Sequence, residues 1–419
     1  MFTEKHILGN PYNGHQLSRT LTGYDVTVNT ASGGSMSTNK SSGWNGSTVT
    51  LSNTPDTNYE FSNYNITGAT LTGNQFNFMN SDVTVAPVFV YTALPEIGVN
   101  TIRAKFKPGT SPALNATGSR TYTQVNAQNN IWDIALKSNT ATDWIQIAAS
   151  QPDMTEVIEA NPSTSITSMA GLFWGNSALT SVALFDTTNV VRTNNMFYGC
   201  RTLKNVPALN LQNTINTETM FYNCSSMESV PLMNTQNVTS TTGMFMGCSS
   251  LTGVPLFDMS NAKNTDGMFL ECSNLQSVPA FNTTAVSSMS GMFRYCTSLT
   301  SMPLISTQKV KTMRYMFYNC SSLPSTPQFN TTAVTSMYGA FMGCSSLTAL
   351  PVFSYNSIKH MGYAFYDCIN VTTGISANYG ALSSKIGSTA SYYTKTFYNC
   401  GVNTTQGAAE LAKVPAAWK

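Results

Sequence analysis

Met244-Phe245-Met246-Gly247-Cys248-Ser249-Ser250-Leu251-Thr252-Gly253-Val254-Pro255-Leu256-Phe257-Asp258 decides the fold, because the chain writes this phrase again and again at one interval. Cys200, Cys224, Cys248, Cys272, Cys296, Cys320, Cys344 and Cys368 follow one another at 24-residue steps, and Cys400 comes after a step of 32. Three residues before each stands a phenylalanine, in a column that begins one repeat earlier: Phe173, Phe197, Phe221, Phe245, Phe269, Phe293, Phe317, Phe341, Phe365 and Phe397. Asn176 takes the first cysteine position, as suits the atypical end unit of a stack. One such unit cannot bury its own apolar face, whereas stacked copies bury a continuous one. The period therefore predicts a solenoid of about ten coils, roughly 50 Å long at a strand spacing of about 4.8 Å.

Within a coil the inward set reads Met220, Phe221, Cys224, Met227, Val230, Leu232 and Met233, then Met244, Phe245, Cys248, Leu251, Val254, Leu256 and Phe257. The residue before the cysteine is often glycine or asparagine (Gly199, Asn223, Gly247, Asn319, Gly343, Asn399), which predicts a tight left-handed turn entered from a helical turn such as Gly243-Met244-Phe245. Asp186, Asn210, Asn234, Asp258, Asn282, Ser306, Asn330 and Ser354 mark a second corner. Pro207, Pro231, Pro255, Pro279, Pro303, Pro327 and Pro351 fall inside the expected strand, so that strand is short, and runs such as Asn237-Val238-Thr239-Ser240 and Ala333-Val334-Thr335-Ser336 carry part of the sheet. Stacked coils hold equivalent Cβ atoms near 4.8 Å, beyond the usual ~3.5 to 4.5 Å of a disulfide, so the nine cysteines are expected as a column of buried free thiols. There is no Cys-x-x-Cys pair, and His6, His15 and His360 are not at ligand spacing, so neither metal nor cofactor is expected.

The 419 residues carry a net charge of +2 and only 10% charged residues, which argues against a nucleic-acid protein with its basic stripe. Ser, Thr, Asn and Gln take the place of charge, as suits an extracellular fibre. Residues 1–22, with Pro11 and Gly14, lack the apolar stretch of a signal peptide, and no 18-residue apolar run spans a membrane; the expectation is a chain made in a cytoplasm, with an irregular arm that docks onto other proteins of a particle. Residues 23–90 change to a period of two: Tyr24, Val26 and Val28; Val49 and Leu51; Phe76 and Phe78; Val83, Val85 and Val88, with breaks at Gly33-Gly34, Gly43 and Gly73-Asn74, predict a small all-β module. Residues 91–151 connect and cap: Thr101 to Phe106 and Asn130 to Ile134 read as strands, Asp143-Trp144-Ile145 opens onto Met154 to Ala160, and Trp132 and Trp144 are expected to cover the open end of the solenoid. The solenoid runs over residues 152–400, with Val157 to Ala160 already in phase. Residues 401–419 close it with a short helix, Gly407 to Lys413, and Trp418.

The 23–90 module resembles the divergent internalin-type B-repeat of bacterial and phage surface proteins, with Gly33-Gly34-Ser35, Thr48-Val49-Thr50-Leu51, Thr54-Pro55, Asn58-Tyr59-Glu60-Phe61 and Ser81-Asp82-Val83-Thr84-Val85 in the expected order. The resemblance implies a spacer or adhesive unit. The 24-residue unit resembles the surface-antigen (BspA-like) leucine-rich repeats, and its Val-Pro-Leu-Phe variant, the Trp132-Asp133 segment ahead of the repeats and the Gly-Ala-Ala-Glu-Leu-Ala ending are similar to members carried by tailed phages of gut bacteria. Over roughly residues 92–419 this implies a leucine-rich-repeat solenoid and adhesion, with no catalytic residue to carry across. The function expected is that of a non-enzymatic virion surface protein (tail fibre, head fibre or decoration subunit) that touches a host surface protein or glycan and forms a homo-oligomer; the alternative is a bacterial cell-surface adhesin. An enzyme, such as a depolymerase, finds only Asp258, Asp266 and Glu271 as a cluster of carboxylates, and Asp258 reads as a turn former. A binding face is expected where columns abandon their consensus for large polar groups: Arg294, Tyr295, Lys311, Arg314, Tyr315, Tyr318 and Tyr338, the residue types enriched at recognition hot spots.

Overall fold

The computed structural model of the protein describes residues 17–19, 26–28, 34–39, 48–55, 59–67, 69, 71–77, 83–91, 96–113, 120–127, 129–136, 148–149, 151–351, 353–384 and 393–419. Two compact units divide between Glu96 and Ile97. The first is all β: β1 (Leu17–Arg19), β2 (Val26–Val28), β3 (Gly34–Thr38), β4 (Thr48–Pro55), β5 (Tyr59–Thr67), β6 (Leu71–Thr72), β7 (Gln75–Asn77) and β8 (Val83–Tyr91). One sheet has the order β1-β2-β8-β5, with β2 and β8 parallel, and another the order β3-β4-β7-β6. The alternation predicts the core: Val28, Val49, Leu51, Phe76, Val83 and Val85 are buried together with Tyr64, and Gly73-Asn74 is the turn between β6 and β7. Strand β1 corrects the reading of residues 1–22 as wholly irregular, because Leu17–Arg19 pairs with β2. The rest of that arm, with His6 and His15, and Tyr24, Phe78 and Trp144 lie outside the described residues.

The second unit opens with a sheet of order β10-β11-β9-β12-β13, made of β9 (Thr101–Phe106), β10 (Arg120–Asn126), β11 (Ile131–Leu136), β12 (Met154–Asn161) and β13 (Ser181–Val182). β12 pairs antiparallel with β9 on one edge and parallel with β13 on the other, Val157 facing Val182, so it is the rung on which the coils begin. From there the ten phenylalanines form one file, each fully buried, with successive ring centroids 5.3 to 5.7 Å apart. The chain is thus mainly β, a small β module followed by the expected solenoid.

Backbone amides wire each coil in alternation. Thr241, Gly243, Phe245 and Gly247 donate to the carbonyls of Asn264, Asp266, Met268 and Leu270 in the next coil, at 2.8 to 3.0 Å, while Met244, Met246 and Cys248 donate three residues back within their own coil. The left-handed residue before the cysteine is present as predicted, from Gly199 (φ 74°) and Asn223 (φ 56°) to Asn399 (φ 52°). The predicted helical entry is not: Gly243 is itself left-handed (φ 59°), and a second left-handed column runs two residues before the phenylalanine. The second corner holds as an Asx turn, with Asp186, Asn210, Asn234, Asp258, Asn282 and Asn330 each accepting from the amide two residues on. Beyond β13, parallel pairing reduces to single bridges, in one column from Ser168 to Arg192 to Asn216 to Ser240 and onward to His360, with one more between Ala349 and Thr373, so the second run does carry most of the sheet.

The proline run forms no ladder in most coils, and Leu232 and Leu256 do not join the core. They are 64% and 59% exposed, as are Leu184 and Leu304 at 67% and 65%. Buried positions here fall three apart, Val230 then Met233 and Val278 then Phe281, the period of a polyproline-like backbone and not of a pleated strand. Leu209 and Phe281 donate to the carbonyls of Pro207 and Pro279, two residues back, at 2.8 and 2.9 Å, a tight turn at the place where a ladder would have formed.

All nine cysteines are free and buried. Each thiol from Cys200 to Cys368 donates to the phenylalanine carbonyl of the preceding coil at 3.1 to 3.2 Å. Burial pushes every thiol pKa up, to about 12 for Cys248 and Cys344. The sulfurs therefore do more than fill space: they are a second, weak hydrogen-bonded file beside the rings.

Both ends are closed. Asn176, in the first cysteine position, accepts from the Gln151 amide at 2.5 Å and donates to the Ala148 carbonyl at 2.6 Å, tying the first coil to the capping segment. Trp132 packs half-buried on the same core. At the far end the helical cap starts earlier than expected, because α1 (Ile375–Ser383) fills the longer step before Cys400. It meets α2 (Thr405–Ala412), whose Glu410 accepts from Ser376. The Trp418 ring then stacks 4.0 Å from Tyr393, and its carbonyl receives the Phe397 amide at 2.9 Å, where another coil would have gone.

Candidate binding face

Side chains that leave their column consensus gather on one stretch of the solenoid. The position after the phenylalanine is filled by Met246 and Leu270, then by Arg294 and Tyr318; the left-handed position two before it is Gly267 and Gly291, then Tyr315. Stacking places these side by side. The Arg294 guanidinium carbon lies 5.2, 5.3 and 5.1 Å from the ring centroids of Tyr295, Tyr315 and Tyr318. Arg314 lies 6.0 Å from Tyr315 and 5.3 Å from Tyr338. The rings meet edge to face, Tyr295 on Tyr318 at 5.1 Å, Tyr315 on Tyr318 at 5.8 Å and Tyr315 on Tyr338 at 5.4 Å. Six of the seven residues expected at a binding face thus form one contiguous cage. Lys311 is exposed on the same coil as Arg314 and, among the described residues, makes no ring contact.

The cage extends beyond those residues. Tyr338 continues to Tyr363 at 5.5 Å, Tyr363 to Tyr366 at 5.6 Å and Tyr366 to Tyr398 at 4.7 Å, with the Lys395 ammonium 5.2 Å from the Tyr398 ring. Sequence reading missed this part although a signal was there: Tyr363 and Tyr366 stand in the columns of Tyr315 and Tyr318, and Lys395 and Tyr398 do so once the 32-residue step to Phe397 is allowed. At the other end Trp174, Tyr198 and Tyr222 form a shorter aromatic file in the column of Arg294.

Local backbone sets the rings in place at a cost. Tyr295 (φ 62°), Tyr315 (φ 54°) and Tyr363 (φ 60°) stand at left-handed positions that other coils give mostly to glycine or asparagine; such placements cost roughly 1 to 3 kcal/mol each. Gly339 makes room for one of them, since a Cβ there would come 2.7 Å from the Tyr315 ring. The Arg294 guanidinium beside the Tyr295 hydroxyl holds that phenol below its ordinary range, and Tyr295 pushes Tyr318 up. Of the carboxylates considered for catalysis, Asp258 accepts from the Ser260 amide at 2.9 Å and Asp266 from Ser288 and the Ser290 amide, while Glu271 stands one coil before Tyr295 in the same column and opposes the arginine's pull on that phenol.

Residues 24–93 match the divergent InlB B-repeat domain. Solved structures to which the chain is similar include a leucine-rich-repeat protein of T. pallidum, 19% identical over 51% of this chain and 91% of that one with a TM-score of 0.34. Two others come from Eubacterium ventriosum, at 16% identity, 52% and 66% coverage and a TM-score of 0.32, and from Bacteroides ovatus, at 15%, 61% and 92%, and 0.17. No curated protein matches the chain. Four overlapping matches, over residues 145–256, 215–328, 242–351 and 302–396, span more than half of the sequence, and by them this chain belongs to the family described as Mycoplasma protein of unknown function, DUF285.

Proposed function

We propose that this chain is a non-enzymatic adhesion protein whose solenoid meets a host surface protein or glycan through the cage around Arg294, Tyr295, Arg314, Tyr315, Tyr318 and Tyr338. The observation that carries the reading is the backbone strain accepted at Tyr295 and Tyr315 to hold two arginines against rings on one face. Strain of this kind persists where a site needs it, and Tyr and Arg supply most of the energy at recognition surfaces. Its setting is the surface of a phage particle, held there through the N-terminal arm; this follows the resemblance of the repeats to phage-borne members. Membership in a family described from Mycoplasma, a cellular organism, favours a bacterial cell surface as the second setting.

Changing Arg294, Arg314 and Tyr315 together to alanine is expected to weaken attachment to host cells at least tenfold with no fall in melting temperature. Unchanged attachment ends the adhesion reading of this face. Mass spectrometry of purified particles against a washed cell-surface fraction decides between the two settings.

A further inference from the structure

Two arginines of the second unit, one buried and one half-buried, are partnered in opposite ways. Arg103 is 2% exposed and answered by Asp133 through bonds of 2.8 and 2.9 Å, with Glu159 at 3.7 Å. A buried guanidinium is normally tolerated in this way, paired and hydrogen-bonded. Arg294 has no such answer: its Nε is buried with no hydrogen-bond partner, and among the described residues no carboxylate pairs with it or with Arg314. Three rings and the Tyr295 hydroxyl hold it, and they attract the cation without supplying a carboxylate. Arg314, exposed, stands on the next coil against two of the same set of rings.

We propose that Arg294 and Arg314 are a receptor for an oxyanion carried on a surface polysaccharide, its carboxylate or phosphate group taken between the two guanidinium forks while the sugar lies along the tyrosine edges. The inference rests on the adhesion reading above and narrows its ligand. Charge complementarity points to the anion, because guanidinium groups match carboxylate and phosphate bidentately. A polysaccharide fits better than an acidic protein for a reason of composition. Protein interfaces centre on buried apolar anchors, and this solenoid's exposed leucines, Leu184, Leu232, Leu256 and Leu304, stand eleven residues on from the phenylalanine, about half a coil from the cage. Between the two arginines the half-buried neighbours are hydroxyls and an amide, Ser290, Thr312 and Asn319, and the apolar Leu270 and Met342 flank the cage only at its two ends in the Arg294 column.

The test titrates the full chain with four polymers: polygalacturonate, a poly(glycerol phosphate) teichoic acid, neutral dextran and polyglutamate. One or both anionic sugar polymers are expected to bind, more weakly as salt rises, and at least tenfold more weakly to Arg314→Gln, an exposed substitution that leaves the fold intact, and to Arg294→Gln; which of the two binds identifies the oxyanion. Dextran bound as tightly, or a polymer affinity that Arg314→Gln leaves unchanged, overturns the anion receptor. Polyglutamate bound as tightly as the sugars overturns the polysaccharide. If no polymer binds while the triple alanine variant still loses cell attachment, this inference falls and the adhesion reading stands.

Discussion

Replacing Arg103 and Arg294 separately by leucine distinguishes an arginine that holds the fold from one that serves a ligand. Arg103→Leu leaves Asp133, 17% exposed, beside an apolar side chain with both of its hydrogen bonds gone. Breaking one side of a buried pair costs about 3 to 5 kcal/mol. Arg294→Leu removes three ring contacts, worth together about 1 to 2 kcal/mol, and also removes a buried Nε whose unmet hydrogen bond costs about 1 to 3 kcal/mol. Leu270 already occupies this column one coil earlier, with Met246 and Met342 in two others, so the backbone accepts an apolar side chain there. The two effects oppose, and the net change stays within about 1 kcal/mol. Denaturant titration of both variants, followed by the loss of far-ultraviolet signal, reads the difference directly. An Arg294→Leu cost near that of Arg103→Leu would show that the cage is a structural pin, and the case for a ligand there would fail.

The thiol file makes the protein sensitive to alkali. Because folding raises these pKa values, its contribution is complete below about pH 9 and is lost as pH climbs toward 12; at about 1.4 kcal/mol per pH unit for each thiol, nine buried groups give a slope near 12 kcal/mol per unit. An alkaline unfolding slope that ignores the double change Cys296→Ser, Cys320→Ser would contradict this. Phe293→Ala, fully buried between two rings, is expected to cost about 3 to 5 kcal/mol, whereas Leu304→Ala, 65% exposed, changes stability by no more than about 0.5 kcal/mol; equal losses in denaturant midpoint would put the leucine column back in the core. Ser376 and Lys413 hold Glu410 down to about 2, so the bond between the two cap helices contributes above about pH 4.5 and fades as pH falls toward 2. Glu410→Gln should therefore lower the melting temperature at pH 7 and leave it unchanged at pH 2.

What the sequence disclosed was whatever is periodic or local. Equal spacing gave the phenylalanine and cysteine files, Asn and Asp gave the Asx corners, and the odd residue Asn176 gave the first coil its end. What stayed hidden was whatever one coil decides through another or through a bend of its own backbone. Leu232 looks like a core residue until the proline before it changes the buried period from two to three, and nothing in a single coil says that a thiol will donate to the carbonyl of the coil beneath. Helix α1 was obscured because its residues replace a part of a coil and carry no repeat of their own.

The cage lies between these cases, and that is why it was partly legible. A repeat aligns each position with its own copies, so a column that reads glycine in coil after coil states what its backbone demands. Tyr295, Tyr315, Tyr363 and Lys395 all stand at left-handed positions, where glycine relieves the strain, and all four belong to one run of touching rings and cations. Indifferent drift would scatter bulky residues over every column, including those that tolerate them without strain. Thr219 is left-handed outside the cage, but the bulky aromatic and basic residues at these positions all lie within it, and that is what a surface shaped by something outside the chain would show.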